Sequence, residues 1–168
     1  MAKKNGSSIP KQAGETLVIT RVFNAPRKLV WKTWSEPERL MRWWGPKFFT
    51  APSCKVDFRV GGTYLFCMRS PDGKDYWSTG VYREIVDQER IVYTDCFADE
   101  RGNVVPAMYY GFSENFPREL LVRLTFEEHD GKTTQTLKHA GFPPGNHLND
   151  ARAGWNGSFD KLAEILEE

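Results

Sequence analysis

The sequence lacks any long hydrophobic run. Its 168 residues contain no apolar stretch near the ~20 residues that a membrane-spanning helix needs. The N-terminal segment carries lysines but no apolar core of the kind found in a secretory signal. Hydrophobic residues make up 40% of the chain and charged residues 27%, as in globular proteins. We therefore expect a soluble, cytoplasmic protein that does not insert into membranes.

Cysteine is scarce, and neither sign of charge is in excess. Cys54, Cys67 and Cys96 are odd in number and too far apart for a disulfide framework or a Cys-x-x-Cys metal site, so we predict buried, reduced thiols. Twenty-three basic and 22 acidic residues give a net charge of +1, and no basic run alternates with aromatic residues. This pattern argues against nucleic-acid binding and favours a small partner.

Motifs for nucleophiles, metals and cofactors are also lacking. There is no Gly-x-Ser-x-Gly, and His129, His139 and His147 have no spaced cysteine or carboxylate partner. Gly61-Gly62 has neither the spacing of a dinucleotide-binding motif nor a Walker lysine, and it predicts a hairpin turn. The sequence therefore predicts no cofactor and no metal site.

Aromatic residues are abundant: they make up 14% of the chain and include six tryptophans. Around them, a β-branched run predicts a strand over residues 16–23. Asn24 predicts the N-cap of a short helix. Ser35 and Glu38 have capping-box spacing, which predicts a second helix with Met41 on its apolar stripe.

Residues 48–139 contain strand-like runs separated by turn residues, which predicts a meander of antiparallel strands. Alternation is clearest over residues 118–128, which predicts one buried face and one exposed face. In the last strand, the face that carries Gln135 and His139 is no more apolar than the other, so the inner face stays open. Residues 146–166 then have the period of a long amphipathic helix.

Two features bear on a binding site. The segment 98–117 is too long for a hairpin loop and rich in aromatic residues, which predicts a lid or the rim of a pocket. Gly154 and Gly157 weaken the last helix. Their presence fits either close packing or space left for a ligand, and both interpretations stay open.

Several motifs occur in the order and spacing of one family. They are RVFNAP at 21–26, Trp31, ERLMRWWGP at 38–46, VDFRVGG at 56–62, GVYREI at 80–85, and Gly154-Trp155 followed by Leu162. With these motifs the sequence resembles the activator of heat-shock protein 90 ATPase-like family over about residues 15–166. That family belongs to the START-like (SRPBCC) superfamily, with the birch-pollen allergen and polyketide cyclases as distant relatives.

The resemblance implies an α+β helix-grip fold. In that fold a curved antiparallel sheet of six or seven strands wraps around a long C-terminal helix, and two short helices follow the first strand. We expect one such domain over residues 15–168, preceded by a disordered tail at residues 1–14. A helix-grip sheet leaves a space beside its helix, which is filled either by side chains or by a ligand.

We expect that space to bind a small hydrophobic or aromatic ligand without catalysis, in a stress-related role. On the resemblance, the lining side chains are Trp34, Trp43, Trp44, Phe66, Met68, Tyr82, Tyr93, Tyr110, Trp155 and Phe159. One alternative is a polyketide cyclase- or hydrolase-like enzyme using the same pocket, with Asp57, Glu84 and His139 as acid-base candidates. A further alternative is a co-chaperone-like module that acts on a heat-shock chaperone.

Overall fold

The structure, a computed structural model, describes residues 14–168. Apart from Gly14, the predicted tail lies outside the described residues. In chain order the elements are β1 (Glu15–Phe23), α1 (Arg27–Ser35), α2 (Pro37–Leu40), β2 (Thr50–Val56), β3 (Thr63–Arg69), β4 (Asp75–Val86), β5 (Arg90–Ala98), a 3-10 helix (Ala107–Tyr110), β6 (Leu120–His129), β7 (Lys132–Phe142) and α3 (His147–Leu166).

The strands form one antiparallel sheet in the order β1-β7-β6-β5-β4-β3-β2. The sheet is curved, α3 packs against its concave face, and α1 and α2 follow β1. The α+β helix-grip fold is therefore confirmed. Within residues 14–168, no helix is both long and apolar enough to cross a membrane.

The strand register decides which face of β7 is internal. Gln135, Leu137 and His139 are buried, whereas Lys138 is exposed. Val122 pairs with Tyr93 on one side and with His139 on the other, so these three residues form a row across β5, β6 and β7. A polar histidine thus lies on the concave face of the sheet.

The dry core lies below the C-terminal half of α3. There the fully buried Phe159 and Leu162 face side chains from α1 and from the segment after α2. The rings of Trp34 and Trp43 are 4.7 Å apart between centroids, and those of Trp43 and Phe159 are 6.2 Å apart. The two short helices therefore fill the space between the sheet and this half of α3.

The starts of the two short helices differ from the prediction. The cap of α1 is Pro26, without a side-chain cap hydrogen bond, so Asn24 is not the N-cap. The Ser35 hydroxyl donates to the carbonyl of Trp31 at 3.0 Å, at the end of α1, and does not cap α2. Since α2 ends at Leu40 after one turn, helical spacing does not extend to Met41, which is exposed.

The strands and thiols follow the prediction more closely. β2 ends at Val56, and residues 57–62, which contain the predicted Gly61-Gly62 turn, form the tight turn into β3. Gly61 in that turn has φ +85°, which suits glycine. Cys54, Cys67 and Cys96 are buried and unpaired, which confirms the predicted thiols.

Candidate ligand-binding site

A cavity of about 530 Å³ lies beside the N-terminal half of α3. One wall is the concave face of the sheet, from β3 to β7, and another is the segment that leads into β6. Most of the lining is apolar, and its aromatic members are Trp44, Phe97, Phe112, Phe116, Phe142 and Trp155. The volume falls within the range of small-molecule sites, roughly 300–1,000 Å³.

The rim of the cavity is the long segment between β5 and β6. Its 3-10 helix is fastened to the sheet by Tyr110, whose hydroxyl donates to the carbonyl of Ala98 and accepts the backbone N–H of Trp77 at 3.0 Å. Beyond this anchor, Phe112 lines the cavity and stacks on Phe97 with centroids 5.3 Å apart. The predicted rim is confirmed.

The loop after α2 closes another side of the cavity and is held by α3. The Ser158 hydroxyl donates to the carbonyl of Gly45 at 2.6 Å. The ammonium group of Lys161 donates to the carbonyls of Pro46 at 3.1 Å and Phe49 at 3.0 Å, and burial lowers the pKa of Lys161 below its ordinary value. These bonds fix the loop against the helix.

Gly154 and Gly157, the two glycines of α3, have different surroundings. A Cβ on Gly157 would lie 2.7 Å from the backbone nitrogen of Lys47, so this glycine permits close packing of the loop on α3. A Cβ on Gly154 would make only an ordinary contact at 3.5 Å with Pro46, and Gly154 lines the cavity. Close packing therefore explains Gly157, whereas Gly154 borders the cavity.

A chain of three polar groups crosses the otherwise apolar wall. The indole N–H of Trp155 donates to Nδ1 of His139 at 3.0 Å. Nε2 of His139 lies 3.0 Å from Oδ2 of Asp95, but its N–H is not aligned with that oxygen and has no hydrogen-bond partner. Because an indole nitrogen can only donate, Nδ1 carries no proton, and the imidazole is neutral with its proton on Nε2.

These groups differ in exposure from the remaining polar groups of the cavity. The His139 side chain is 7% exposed and that of Asp95 is 29% exposed. Arg118 and Asp150, by contrast, are exposed at the mouth, and His147 is half-buried. Asp95 is thus the charged group that lies farthest from solvent in the lining.

The structure places three of the ten predicted binding residues at the cavity, namely Trp44, Met68 and Trp155. The other seven are buried and do not line this cavity: Trp34, Trp43, Phe66, Tyr82, Tyr93, Tyr110 and Phe159. Three of them pack under the C-terminal half of α3, and most of the rest form a ring cluster on β3, β4 and β5. The cavity occupies only part of the space beside the helix.

Of the three acid-base candidates, one lies at the cavity and two lie away from it. His139 lies on the cavity wall. Asp57 lies in the turn after β2, where its carboxylate pairs with Arg59 at 3.0 Å. Glu84 pairs with Arg90 at 2.7 Å, and the hydrogen bond from that guanidinium lowers the pKa of the Glu84 carboxyl. Asp57 and Glu84 are therefore surface ion-pair residues away from this cavity.

Asp95 is the functional candidate that sequence reasoning missed. It shares the inner face of β5 with Ile91, Tyr93 and Phe97, since side chains two residues apart point the same way. A single charge on an apolar strand face was the available signal. Its approach to His139 depends on how β5, β6 and β7 are aligned in the sheet. Local sequence patterns do not give this alignment.

Within residues 14–168, no group of three or more His, Cys, Asp or Glu side chains is arranged to hold a metal ion. The candidate site is a mostly apolar chamber in which Asp95 and His139 lie side by side on the sheet wall.

Comparison with known families decides the relationship. The family model described as activator of Hsp90 ATPase homolog 1-like protein matches residues 24–167. The chain belongs to this family. No curated protein sequence matches the chain. The family match agrees with the resemblance carried by the motifs between residues 21 and 162.

Solved structures share the fold over nearly the whole chain. A protein from Chromobacterium violaceum is 27% identical, with a TM-score of 0.74, over 91% of this chain and 97% of its own. One from Mycobacterium smegmatis is 26% identical, with a TM-score of 0.71, over 90% and 87%. The AHSA1 protein from Silicibacter pomeroyi is 21% identical, with a TM-score of 0.74, over 91% and 98%. A shared fold does not determine the activity, so the function must be argued from the site.

Proposed function

We propose that this protein binds a small, largely apolar molecule in the cavity beside α3. The observation that carries the proposal is a chamber of about 530 Å³ with a mostly apolar lining that includes six aromatic side chains, together with a row of polar groups formed by Trp155, His139 and Asp95. Apolar walls supply the affinity of such sites, and a few polar groups fix the orientation of the ligand. The bound molecule would place an apolar body against Trp44 and Phe142 and a polar group at Asp95.

A pair of tryptophan substitutions on α3 tests this proposal. Ala151 lines the cavity, whereas Ala153 is exposed on the same helix. The probe is N-phenyl-1-naphthylamine, an uncharged dye whose fluorescence rises in apolar surroundings. We expect the wild type and Ala153→Trp to bind it and Ala151→Trp to lose binding, because the added indole occupies the chamber.

Circular dichroism should first show that both variants are folded. If the wild type gives no rise in fluorescence, the chamber does not take apolar molecules and the proposal is wrong. Equal binding by Ala151→Trp and Ala153→Trp would show that the dye binds elsewhere. Either result removes the reason for regarding the protein as a ligand binder.

An enzymatic use of the same chamber is the second candidate, and the approach of Asp95 to His139 favours it. A carboxylate and an imidazole at 3.0 Å beside an apolar site can move a proton to or from a bound molecule. The candidate requires turnover that is lost in both Asp95→Asn and His139→Gln. Turnover that survives in both variants would exclude these residues as its acid-base groups.

The co-chaperone alternative rests on the description of the family and not on a feature of the cavity. Its direct test is the ATPase rate of a purified heat-shock protein 90 with and without this protein. Strong stimulation that persists in Ala151→Trp would mean that the chaperone interaction does not use the chamber.

A further inference from the structure

Within residues 14–168, the side chain that is recorded as paired with the carboxylate of Asp95 is the imidazole of His139. This imidazole is neutral because Nδ1 accepts the indole N–H of Trp155. Among the residues that the structure describes, no lysine or arginine forms an ion pair with Asp95. A carboxylate that is largely withdrawn from water and lacks a cation is unfavourable, and a cation brought by a ligand would stabilise it.

The aromatic lining favours the same kind of ligand. Six aromatic rings contribute to the walls, and the indole of Trp155 is hydrogen-bonded within the polar chain that includes Asp95. Tryptophan and phenylalanine rings attract cations through their electron-rich faces, most strongly where water is excluded. An ammonium group at Asp95 would therefore meet a carboxylate within a chamber whose walls also carry aromatic rings.

The remaining charged groups of the cavity do not oppose the binding of an ammonium group at Asp95. Arg118 and Asp150 lie at the exposed mouth, carry opposite charges, and are screened by solvent. His147 is half-buried beside Phe116, with the ring centroids 5.2 Å apart. Asp95 is thus the dominant charge inside the chamber.

We propose that the chamber selects a protonated amine carried on an apolar body, with the ammonium group bound by Asp95. This inference rests on the proposed ligand-binding function and names the chemical class of the ligand. Trp155 and His139 lie beside this carboxylate: the indole donates to Nδ1 of the imidazole, and Nε2 lies 3.0 Å from Oδ2 of Asp95.

The test compares three small naphthalene compounds that differ in charge. They are 1-naphthylmethylamine, 1-naphthylmethanol and 1-naphthoate, titrated calorimetrically into the full-length protein near neutral pH. A charge-assisted hydrogen bond corresponds to about a tenfold or larger gain in affinity. We therefore expect the amine to bind about tenfold or more tightly than the alcohol, and the carboxylate to bind most weakly.

Three variants locate the effect. Asp95→Asn keeps the shape of the side chain and removes its charge, so it should remove the preference for the amine and leave affinity for the alcohol within about threefold. Asp150→Asn removes the same charge at the mouth and should cost the amine less. Asp87→Asn, in the exposed turn between β4 and β5, controls for net charge and should leave all three affinities unchanged.

Equal affinity of the wild type for the amine and the alcohol would overturn the inference while leaving the proposed ligand-binding function standing. This comparison needs no variant, so a failure of Asp95→Asn to fold would not prevent it. Equal losses in Asp95→Asn and Asp150→Asn would mean a diffuse electrostatic effect and would overturn the assignment to Asp95. If none of the three compounds binds and the uncharged dye also fails, the ligand-binding function and this inference are both wrong.

Discussion

Trp155 marks the boundary between the dry core and the chamber, and its truncation provides the sharpest test of that boundary. On one side its ring contacts Phe159, with centroids 5.4 Å apart, and Trp44, at 5.5 Å. On the other side it lines the cavity. Its indole N–H also donates to His139. Trp155→Ala therefore removes packing on one side of the ring and one buried hydrogen bond.

The magnitude follows from these contacts. Truncation of a fully packed tryptophan or phenylalanine to alanine costs about 3–5 kcal/mol. A ring with one side open loses roughly half of those contacts, and the lost hydrogen bond adds about 1 kcal/mol. We expect Trp155→Ala to lower the free energy of unfolding by about 2.5–3.5 kcal/mol, less than truncation of a fully packed tryptophan with the same hydrogen bond would.

Phe159→Ala is the matched control, since Phe159 is fully buried one turn farther along the same helix. It should cost the full 3–5 kcal/mol or so. Urea unfolding followed by far-ultraviolet circular dichroism measures both variants without depending on tryptophan fluorescence. A loss in Trp155→Ala as large as that in Phe159→Ala would refute the reasoning, because it would mean that the ring is packed on both sides.

Two further predictions concern packing and the buried thiols. Gly157→Ala should destabilise the protein, because the added Cβ would lie 2.7 Å from the backbone nitrogen of Lys47. Gly154→Ala should instead stabilise it by up to about 1 kcal/mol through helix propensity. Urea unfolding of both variants measures the difference, and equal effects would contradict the packing argument. Burial raises the pKa of Cys54 from an ordinary 9.0 to about 12 and that of Cys96 to about 11, so both thiols should react slowly with iodoacetamide near pH 8 until urea unfolds the chain. Because these pKa values are higher in the folded state, the folded state binds more protons than the unfolded state above pH 9. The free energy of unfolding should therefore fall between pH 9 and about 12. Cys54→Ala should make this fall less steep, and an unchanged slope would contradict its assignment to the Cys54 thiol.

Strand periodicity and turn residues were enough to predict most of the sheet. β3 begins directly after the predicted Gly61-Gly62 turn, and the alternation of β6 correctly gives its buried face. Such features are local, because side chains alternate along any strand and glycine-rich turns interrupt the pairing. The family motifs added the order of the sheet around α3, which local patterns do not contain.

Which aromatic residues line the chamber could not be read in the same way. Periodicity assigns a residue to a face but not to a depth. Trp34 and Trp155 both face the interior, yet only Trp155 lines the cavity. The difference arises because α1 fills the space below one half of α3, and the length of α2, a single turn, was itself overestimated from the sequence.

Asp95 shows the same limit for the polar groups. Its pairing with His139 requires β6 to lie between β5 and β7, with Val122 opposite both Tyr93 and His139. A sequence pattern cannot bring residues 95 and 139 together without that register. By contrast, Asp57 pairs with Arg59 and Glu84 pairs with Arg90, both close in sequence. Such local surface ion pairs are common for carboxylates on strands and turns.

The arrangement of α3 explains how a chamber can persist in a chain of this size. The C-terminal half of the helix is packed on the sheet through Phe159 and Leu162, and this packing sets the position of the whole helix. Hydrogen bonds from Ser158 and Lys161 in this same half hold the loop after α2, and Tyr110 anchors the rim to the sheet. Because the frame is stabilised outside the chamber, a polar group such as Asp95 can be kept on its wall for a ligand without being needed for folding.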